Sequence, residues 1–316
     1  MQVILAQPRG FCAGVTRAID IVDRALQLNG APVYVYHEIV HNQWVVDDLR
    51  ARGAVFVDDL ANLPRGATLV FSAHGVSNAI VAQARALGLQ TIDATCPLVS
   101  KVHHQAQRFA RLGRALVMIG HAGHEEVVGT MGRVDAPVHL VGSVEDVDLL
   151  PLDRHEAVAY VTQTTLSVDD TREVIDSLKS RFSNLQGPEV EDICYATQNR
   201  QVAVRTLAAR ADLVLVVGAR NSSNSNRLRE VAQRGGVPAV LVQDERDIQT
   251  QWLHGVTRVG VTSGASTPEL LVQRVLARLR ELGAGHVPVL HLPGVREDVR
   301  FRLPAELAVG QEPAHG

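Results

Sequence analysis

The constraint that most limits how this chain folds is the placement of its only three cysteines, Cys12, Cys96 and Cys194, 84 and 98 residues apart. Each follows an extended, largely apolar run (residues 3–11, 91–95 and 190–193) and precedes a segment with helical patterning. Each sulfur is therefore expected at a strand-to-helix junction. The separations are too long for a zinc knuckle and suit a small α/β unit better than a solenoid repeat. The segments after each cysteine also repeat: a helix (residues 14–28, 98–112 and 198–211), a strand (33–36, 115–119 and 213–217), then His41, His124 and Asn224 at offsets of 29, 28 and 30 residues.

The repeat continues. A second apolar strand in each unit (residues 68–71, 157–161 and 259–261) runs into small polar or imidazole residues, Ser72-Ala73-His74-Gly75, Thr162-Gln163-Thr164-Thr165 and Thr262-Ser263-Gly264-Ala265-Ser266. A further helix comes after each, with Ser77, Ser167 and Thr267 as N-cap residues. Short, near-continuous Val/Ile/Leu strands alternating with helices predict parallel sheets covered on both faces. The expected fold class is α/β: three repeated small α/β units with parallel sheets around a pseudo-threefold axis. The units are expected at residues 13–96, 97–193 and 194–282, the third joined by the strand within 1–12. Residues 283–316 are read as a C-terminal strand and tail, with 296–302 an edge strand or flap and 311–316 disordered. Ligands of open parallel sheets sit beyond the carboxyl ends of the strands, where all these polar motifs fall. Three thiolates and about nine polar groups are thus expected to face one central cavity.

Helix N-termini favour the thiolate form. Three ligands on a soft metal centre leave a coordination position open, the mark of a reactive site. With sulfur alone as ligand, a [4Fe–4S] cluster having one iron free of cysteine leads, and zinc is the alternative. His41, His74 and His124 follow strands and suit an anion better than a second metal. His103 and His104 read as packing or solvated residues, and His37, His139, His155 and His254 stand at background. The run Asn221-Ser222-Ser223-Asn224-Ser225-Asn226, ahead of a helix from about Arg227, offers more short donors than a cap needs, and residues 263–268 repeat the theme. Such donors at a helix N-terminus suit a phosphate or diphosphate. In the segment 120–126, Glu125 and Glu126 stand beside an imidazole as candidates for proton transfer or as helix N-terminal acids, and Thr164 or Thr165 could relay a proton.

A formal net charge of −3 gives no electrostatic reason for nucleic acid or an anionic membrane. No apolar run approaches the ~20 residues a bilayer requires. With a motif already at residue 9, no targeting peptide is expected, and an odd cysteine count outside any CxxC predicts a reduced, cytoplasmic protein. There is no GxxxxGK[ST], no GxGxxG after a strand and no CxxxCxxC, so nucleotide and radical chemistries are disfavoured. Electrons for any redox step must come from a separate protein.

Pro8-Arg9-Gly10-Phe11-Cys12-Ala13-Gly14-Val15, Glu38-Ile39-Val40-His41-Asn42, Ser72-Ala73-His74-Gly75-Val76, Asp93-Ala94-Thr95-Cys96-Pro97, Gly129-Thr130-Met131-Gly132, Gln163-Thr164-Thr165-Leu166-Ser167 and residues 221–228 occur in order along nearly the whole chain. Through these motifs the chain resembles the LytB/IspH family. The resemblance implies a 4-hydroxy-3-methylbut-2-enyl diphosphate reductase, the last step of the methylerythritol phosphate route to isoprenoids, removing an allylic hydroxyl with two electrons and two protons to give isopentenyl and dimethylallyl diphosphates. It implies a [4Fe–4S] cluster on Cys12, Cys96 and Cys194 whose free iron binds the substrate hydroxyl. It further implies diphosphate donors at His41, His74, His124, Ser222, Ser223, Asn224 and Ser266, a proton-delivering Glu126, a hydroxyl-orienting Thr164, and a ferredoxin- or flavodoxin-type electron donor. The family commonly has His-Pro-Glu where this chain has His124-Glu125-Glu126, so a looser backbone and an altered proton affinity of Glu126 are expected. Two other readings fit the same architecture: a non-redox [4Fe–4S] enzyme of the quinolinate synthase type, and an iron–sulfur or zinc sensor of a phosphorylated metabolite.

Overall fold

The computed structural model describes residues 1–189, 191–283 and 287–307. The chain opens with β1 (Gln2–Leu5) and enters α1 (Ala13–Asn29), β2 (Val33–Tyr36), α2 (Gln43–Ala51), β3 (Ala54–Val57), β4 (Thr68–Phe71), α3 (Asn78–Ala86) and β5 (Gln90–Asp93). Next come α4 (Pro97–Arg111), β6 (Ala115–Ile119), α5 (Glu125–Met131), β7 (Val138–Val141), α6 (Val144–Asp148), β8 (Ala157–Thr162), α7 (Val168–Arg181) and β9 (Asn184–Gln186). The last stretch holds α8 (Tyr195–Ala208), β10 (Leu213–Val217), α9 (Ser223–Arg234), β11 (Ala239–Val242), β12 (Arg258–Ser263), α10 (Glu269–Leu282) and β13 (Val289–His291). Among the described residues no helix is long and apolar enough to cross a membrane.

All strand pairs are parallel, in three sheets of order β3-β2-β4-β5, β7-β6-β8-β9 and β11-β10-β12-β1-β13. The first four positions of each sheet are equivalent, so the repeat read from the cysteine offsets is a repeat of topology. Helices cover both faces of each sheet, because strand side chains alternate. In the second sheet Val117, Ile119 and Val158 pack toward α7, while Leu116, Met118, Ala159 and Val161 pack toward α4. β10, Leu-Val-Leu-Val-Val, is buried along its whole length, as a two-sided parallel strand must be.

The boundaries shift in a few places. α8 starts at Tyr195, directly after Cys194, and α9 starts at Ser223, so residues 223–226 of the Ser/Asn run form its first turn, with Ser222 as the N-cap. Ser77 and Ser167 accept hydrogen bonds as N-caps, but Thr267 does not cap α10; its hydroxyl donates to the Val217 carbonyl and Pro268 occupies the cap. The extended run expected before Cys194 is not a strand: β9 lies earlier, residues 191–193 form no ladder, and residue 190 lies outside the described residues. Residues 296–302 pair with no strand and run as an arm, and the segment 311–316 lies outside the described residues. The arm is anchored by Glu297, whose carboxylate meets the fully buried Arg200 at 3.0 Å; Arg200 also donates to the carbonyls of Gly10 and Ala196.

Candidate functional site

Each cysteine is the N-cap of the helix that comes after it, Cys12 of α1, Cys96 of α4 and Cys194 of α8. Their backbone N–H groups are held by the sheet that precedes them. Cys12 donates to the Ala265 carbonyl, Cys96 to Ala73 and Cys194 to Thr164, each at 3.0–3.1 Å. These acceptors lie in the loops after β12, β4 and β8, so every sulfur is stapled beside Ser266, His74 or Thr164. One cavity is lined by all three cysteines together with His41, His74, His124, Glu126, Thr164, Thr165, Thr197, Ser222, Ser223, Asn224 and Ser266. Parallel strands direct their carboxyl ends to one side of a sheet, and three equivalent sheets aim those ends at one point.

Gly14 marks how close the sulfurs come. A Cβ at this position would lie 2.6 Å from the Cys96 Sγ and 3.9 Å from the Cys12 Sγ, so only hydrogen leaves both sulfurs in place. Without a cation the thiols are crowded: burial, then the charge of Cys12, pushes Cys96 up to about 12, and the same causes push Cys194 up to about 11. The helix N-termini expected to favour thiolates are therefore outweighed by desolvation and mutual repulsion until a positive centre arrives. Three converging soft donors with no carboxylate or imidazole in their set fit a soft metal cluster.

The imidazoles form a second group in the same cavity. His41 and His74 stack with ring centroids 4.1 Å apart, and His124 stands edge-on to them at 5.4 and 5.9 Å. His124 caps α5, its Nδ1 accepting from the Glu126 backbone N–H at 3.2 Å, which assigns the ring proton to Nε2. Burial, with His74 and His41 adding, pushes His124 down to about 3, so this ring is a neutral donor. Burial, then the charge of His41, also lowers His74, against the pull of Glu125. His41 Nδ1 lies 3.2 Å from Glu38 Oε2, and Asn221 donates to the same oxygen at 3.0 Å. Ser266 donates to the His41 carbonyl, and the Asn224 side-chain oxygen accepts from the Ala265 N–H. Ser222, Ser223 and Asn224 face the cavity from the start of α9, whereas Ser225 and Asn226 turn to local backbone and hydroxyl partners. The run thus divides between cavity and cap.

Glu126 is 2% exposed, and both carboxylate oxygens accept from Thr164, Oε1 from the backbone N–H at 2.6 Å and Oε2 from the hydroxyl at 3.0 Å. Burial, with the charge of Asp192 adding to it, overrides both hydrogen bonds and pushes Glu126 up to about 7. Glu125 behaves in the opposite way. Its carboxylate turns to His74 at 2.8 Å, and although burial alone would raise it, His74, with His41 and His37, holds it at about 2. The neighbouring carboxylate expected to disturb Glu126 is thus engaged elsewhere, and the one that raises Glu126 is Asp192, itself pushed up to about 6 by burial.

Sequence reading missed four contributors. Thr197 lies 3.2 Å from the Cys194 Sγ and accepts from Asn224 at 3.4 Å. Gln163, fully buried, accepts from the His121 N–H and donates to Thr165 and Ser223. Asp192 holds the Thr162 N–H, and Glu38 holds His41. The polar residue three places into the helix after Cys194 and the carboxylate three before His41 were available as signals; Asp192 gave none. His103 is a packing residue, its ring filling the space that a Cβ on Gly75 would take, 2.5 Å away. His104 is exposed.

The family model described as LytB protein matches residues 3–280 of this chain. The chain is 57% identical over 308 residues to the 4-hydroxy-3-methylbut-2-enyl diphosphate reductase 2 of Bradyrhizobium diazoefficiens, covering 98% of this chain and 99% of that one. It is 58% identical over 307 residues to the 4-hydroxy-3-methylbut-2-enyl diphosphate reductase of Bordetella pertussis, covering 97% and 94%. Among solved structures, the E-1-hydroxy-2-methyl-but-2-enyl-4-diphosphate reductase of Plasmodium falciparum superposes with a TM-score of 0.94 at 39% identity, over 97% of this chain and 96% of that one.

Proposed function

Because this chain belongs to the LytB protein family, we propose that it is a 4-hydroxy-3-methylbut-2-enyl diphosphate reductase, removing the allylic hydroxyl with two electrons and two protons to give isopentenyl and dimethylallyl diphosphates and water. The observation that carries the reading is the meeting, in one cavity, of three cysteine sulfurs, a set of neutral and hydroxyl donors and a carboxyl group that titrates near neutrality. Reduction is also the chemistry named for the relatives, which sets aside the dehydratase and sensor readings.

Cys12, Cys96 and Cys194 would hold a [4Fe–4S] cluster. When bound, the cluster supplies an electron reservoir and, at the iron without a cysteine, a Lewis acid for the substrate oxygen. The chain does the rest. Nε2–H of His124, the hydroxyls of Ser222, Ser223 and Ser266 and the amide of Asn224, together with His41 and His74, surround the diphosphate and offset its charge. Binding the diphosphate from this side fixes the short carbon chain toward the sulfurs, so that orientation is settled before the bond breaks.

Glu126 delivers the proton to the departing oxygen. With its proton affinity near neutrality it is about half protonated at pH 7 and is a far better acid source than an ordinary glutamate, whose proton is lost two to three pH decades lower. Thr164 hydrogen-bonds Glu126 Oε2 through its hydroxyl, a position from which it can orient the substrate oxygen against the carboxyl group. The test is incubation of the anaerobically reconstituted protein with 4-hydroxy-3-methylbut-2-enyl diphosphate and reduced methyl viologen. Both diphosphate products are expected, and Cys96→Ser is expected to lose iron and turnover together. A fully iron-loaded protein that leaves the substrate untouched overturns the proposal.

A further inference from the structure

Two further recesses, apart from the substrate cavity, are lined by residues that adjoin the cysteines. Residues adjoining each cysteine reach the surface there. Phe11 and Ala13 beside Cys12, and Tyr195 beside Cys194, line one recess of about 640 Å³, while Thr95 and Pro97 beside Cys96 line another of about 780 Å³. Arg17 lines both, so the two recesses adjoin, and the C-terminal arm borders them, with Arg296, Glu297, Val299, Arg300 and Phe301 on the first and Pro304 and Glu306 on the second. A group seated in either recess is one or two residues, ~4–8 Å of chain, from a cysteine.

The charge on this face is distinctive. Arg17 spends its donors on the carbonyls of Thr95 and Arg302 and, among the described residues, forms no ion pair, although Asp20 shares the first recess with it and Asp93 and Glu306 the second. Arg300 and Arg302 are exposed and, among the described residues, form no ion pair. Lys101 and Arg108 add to the edge of the second recess, each beside a carboxylate, and Val295 and Val299 expose apolar surface along the same arm, at 55% and 41%. Basic groups around a small apolar centre describe a transient interface for an acidic partner.

We propose that this arm-bordered face, lined by residues next to all three cysteines, is the docking site of a small acidic one-electron carrier protein, with Arg17, Arg300 and Arg302 as its steering charges. The inference rests on the reductase reading, since it supplies that reaction's electrons. Two reduced carriers each give up one electron; with two protons these account for the C–O bond broken, the C–H bond formed and the water released. Electrostatic attraction raises the encounter rate of such a pair at low salt and fades as salt screens it.

The experiment compares the reconstituted wild-type holoenzyme with Arg300→Glu/Arg302→Glu, and with Arg85→Glu, outside both recesses, as control. Turnover is measured with a reduced acidic [2Fe–2S] ferredoxin and, separately, with reduced methyl viologen. The double reversal is expected to raise the KM for ferredoxin about tenfold or more at low salt, a gap that narrows at high salt, while viologen-driven turnover stays within about twofold of wild type. Arg85→Glu is expected to change neither. An unchanged ferredoxin KM overturns the docking site. So does an equal loss with both reductants, which places the effect at the reaction site. Absence of viologen-driven turnover in the wild type sinks the reductase reading itself.

Discussion

Replacing Glu126 with glutamine tests the central electrostatic claim without any substrate. The glutamine is an isostere of the protonated carboxyl group: its carbonyl still accepts from the Thr164 N–H and its amide donates to the Thr164 hydroxyl. In the unfolded chain Glu126 titrates at its ordinary 4.5, and in the fold at about 7. A group whose folded value is raised contributes stability that is complete below the unfolded value and is lost as the pH rises through the folded one. At ~1.4 kcal/mol for each tenfold change in proton affinity, carrying the ionised carboxylate costs the fold ~3 kcal/mol above pH 7. The variant stays neutral and escapes that cost. Urea denaturation of the metal-free protein should therefore find Glu126→Gln gaining on wild type by ~2 kcal/mol between about pH 5 and about pH 8. A difference that stays flat over this interval would mean that Glu126 titrates normally, and the proton-donor assignment would fall with it.

Three further outcomes are expected from the same geometry. Asp192→Asn removes the charge that helps raise Glu126, so the alkaline limb of the pH–rate profile should move to lower pH; a limb that stays put or moves up contradicts the coupling. Gly14→Ala places a methyl group 2.6 Å from the Cys96 Sγ, and the reconstituted variant should retain much less iron than wild type when both are gel-filtered anaerobically. Glu297→Ala leaves the buried Arg200 guanidinium without its carboxylate, which should cost about 3 kcal/mol in urea denaturation and expose residues 295–303 to limited proteolysis; unchanged stability and cleavage would mean that the pair does not anchor the arm.

Much of this architecture is legible in the sequence. The strands at 33–36, 68–71, 115–119 and 213–217 fall where continuous apolar runs end in glycine or polar residues, because a strand buried on both faces has no other way to be written. The loops after them carry His41, His74, His124 and Asn224 for the same local reason, and their gathering into one cavity was legible from the repeated offsets. The end of α9 closest to the site was misplaced because Ser and Asn read as loop formers, whereas at a helix N-terminus their side chains cap the free N–H groups.

The sequence by itself therefore determined the repeated core of the local script: the central strands of each unit, the helices after the cysteines, and the donors that stand at their ends. Hydrophobic periodicity and capping act within a few residues of one another, and that is the range sequence patterns report. Only the tertiary structure decided which backbone acceptor holds each cysteine, Ala265 of the third unit for Cys12, Ala73 of the first for Cys96 and Thr164 of the second for Cys194, since these contacts cross separations that no local pattern records. It also decided between two adjacent glutamates. Glu125 meets His74 and remains ionised, while Glu126 points inward to Thr164 and keeps a proton near neutrality, because proton affinity depends on burial and on charges from other elements.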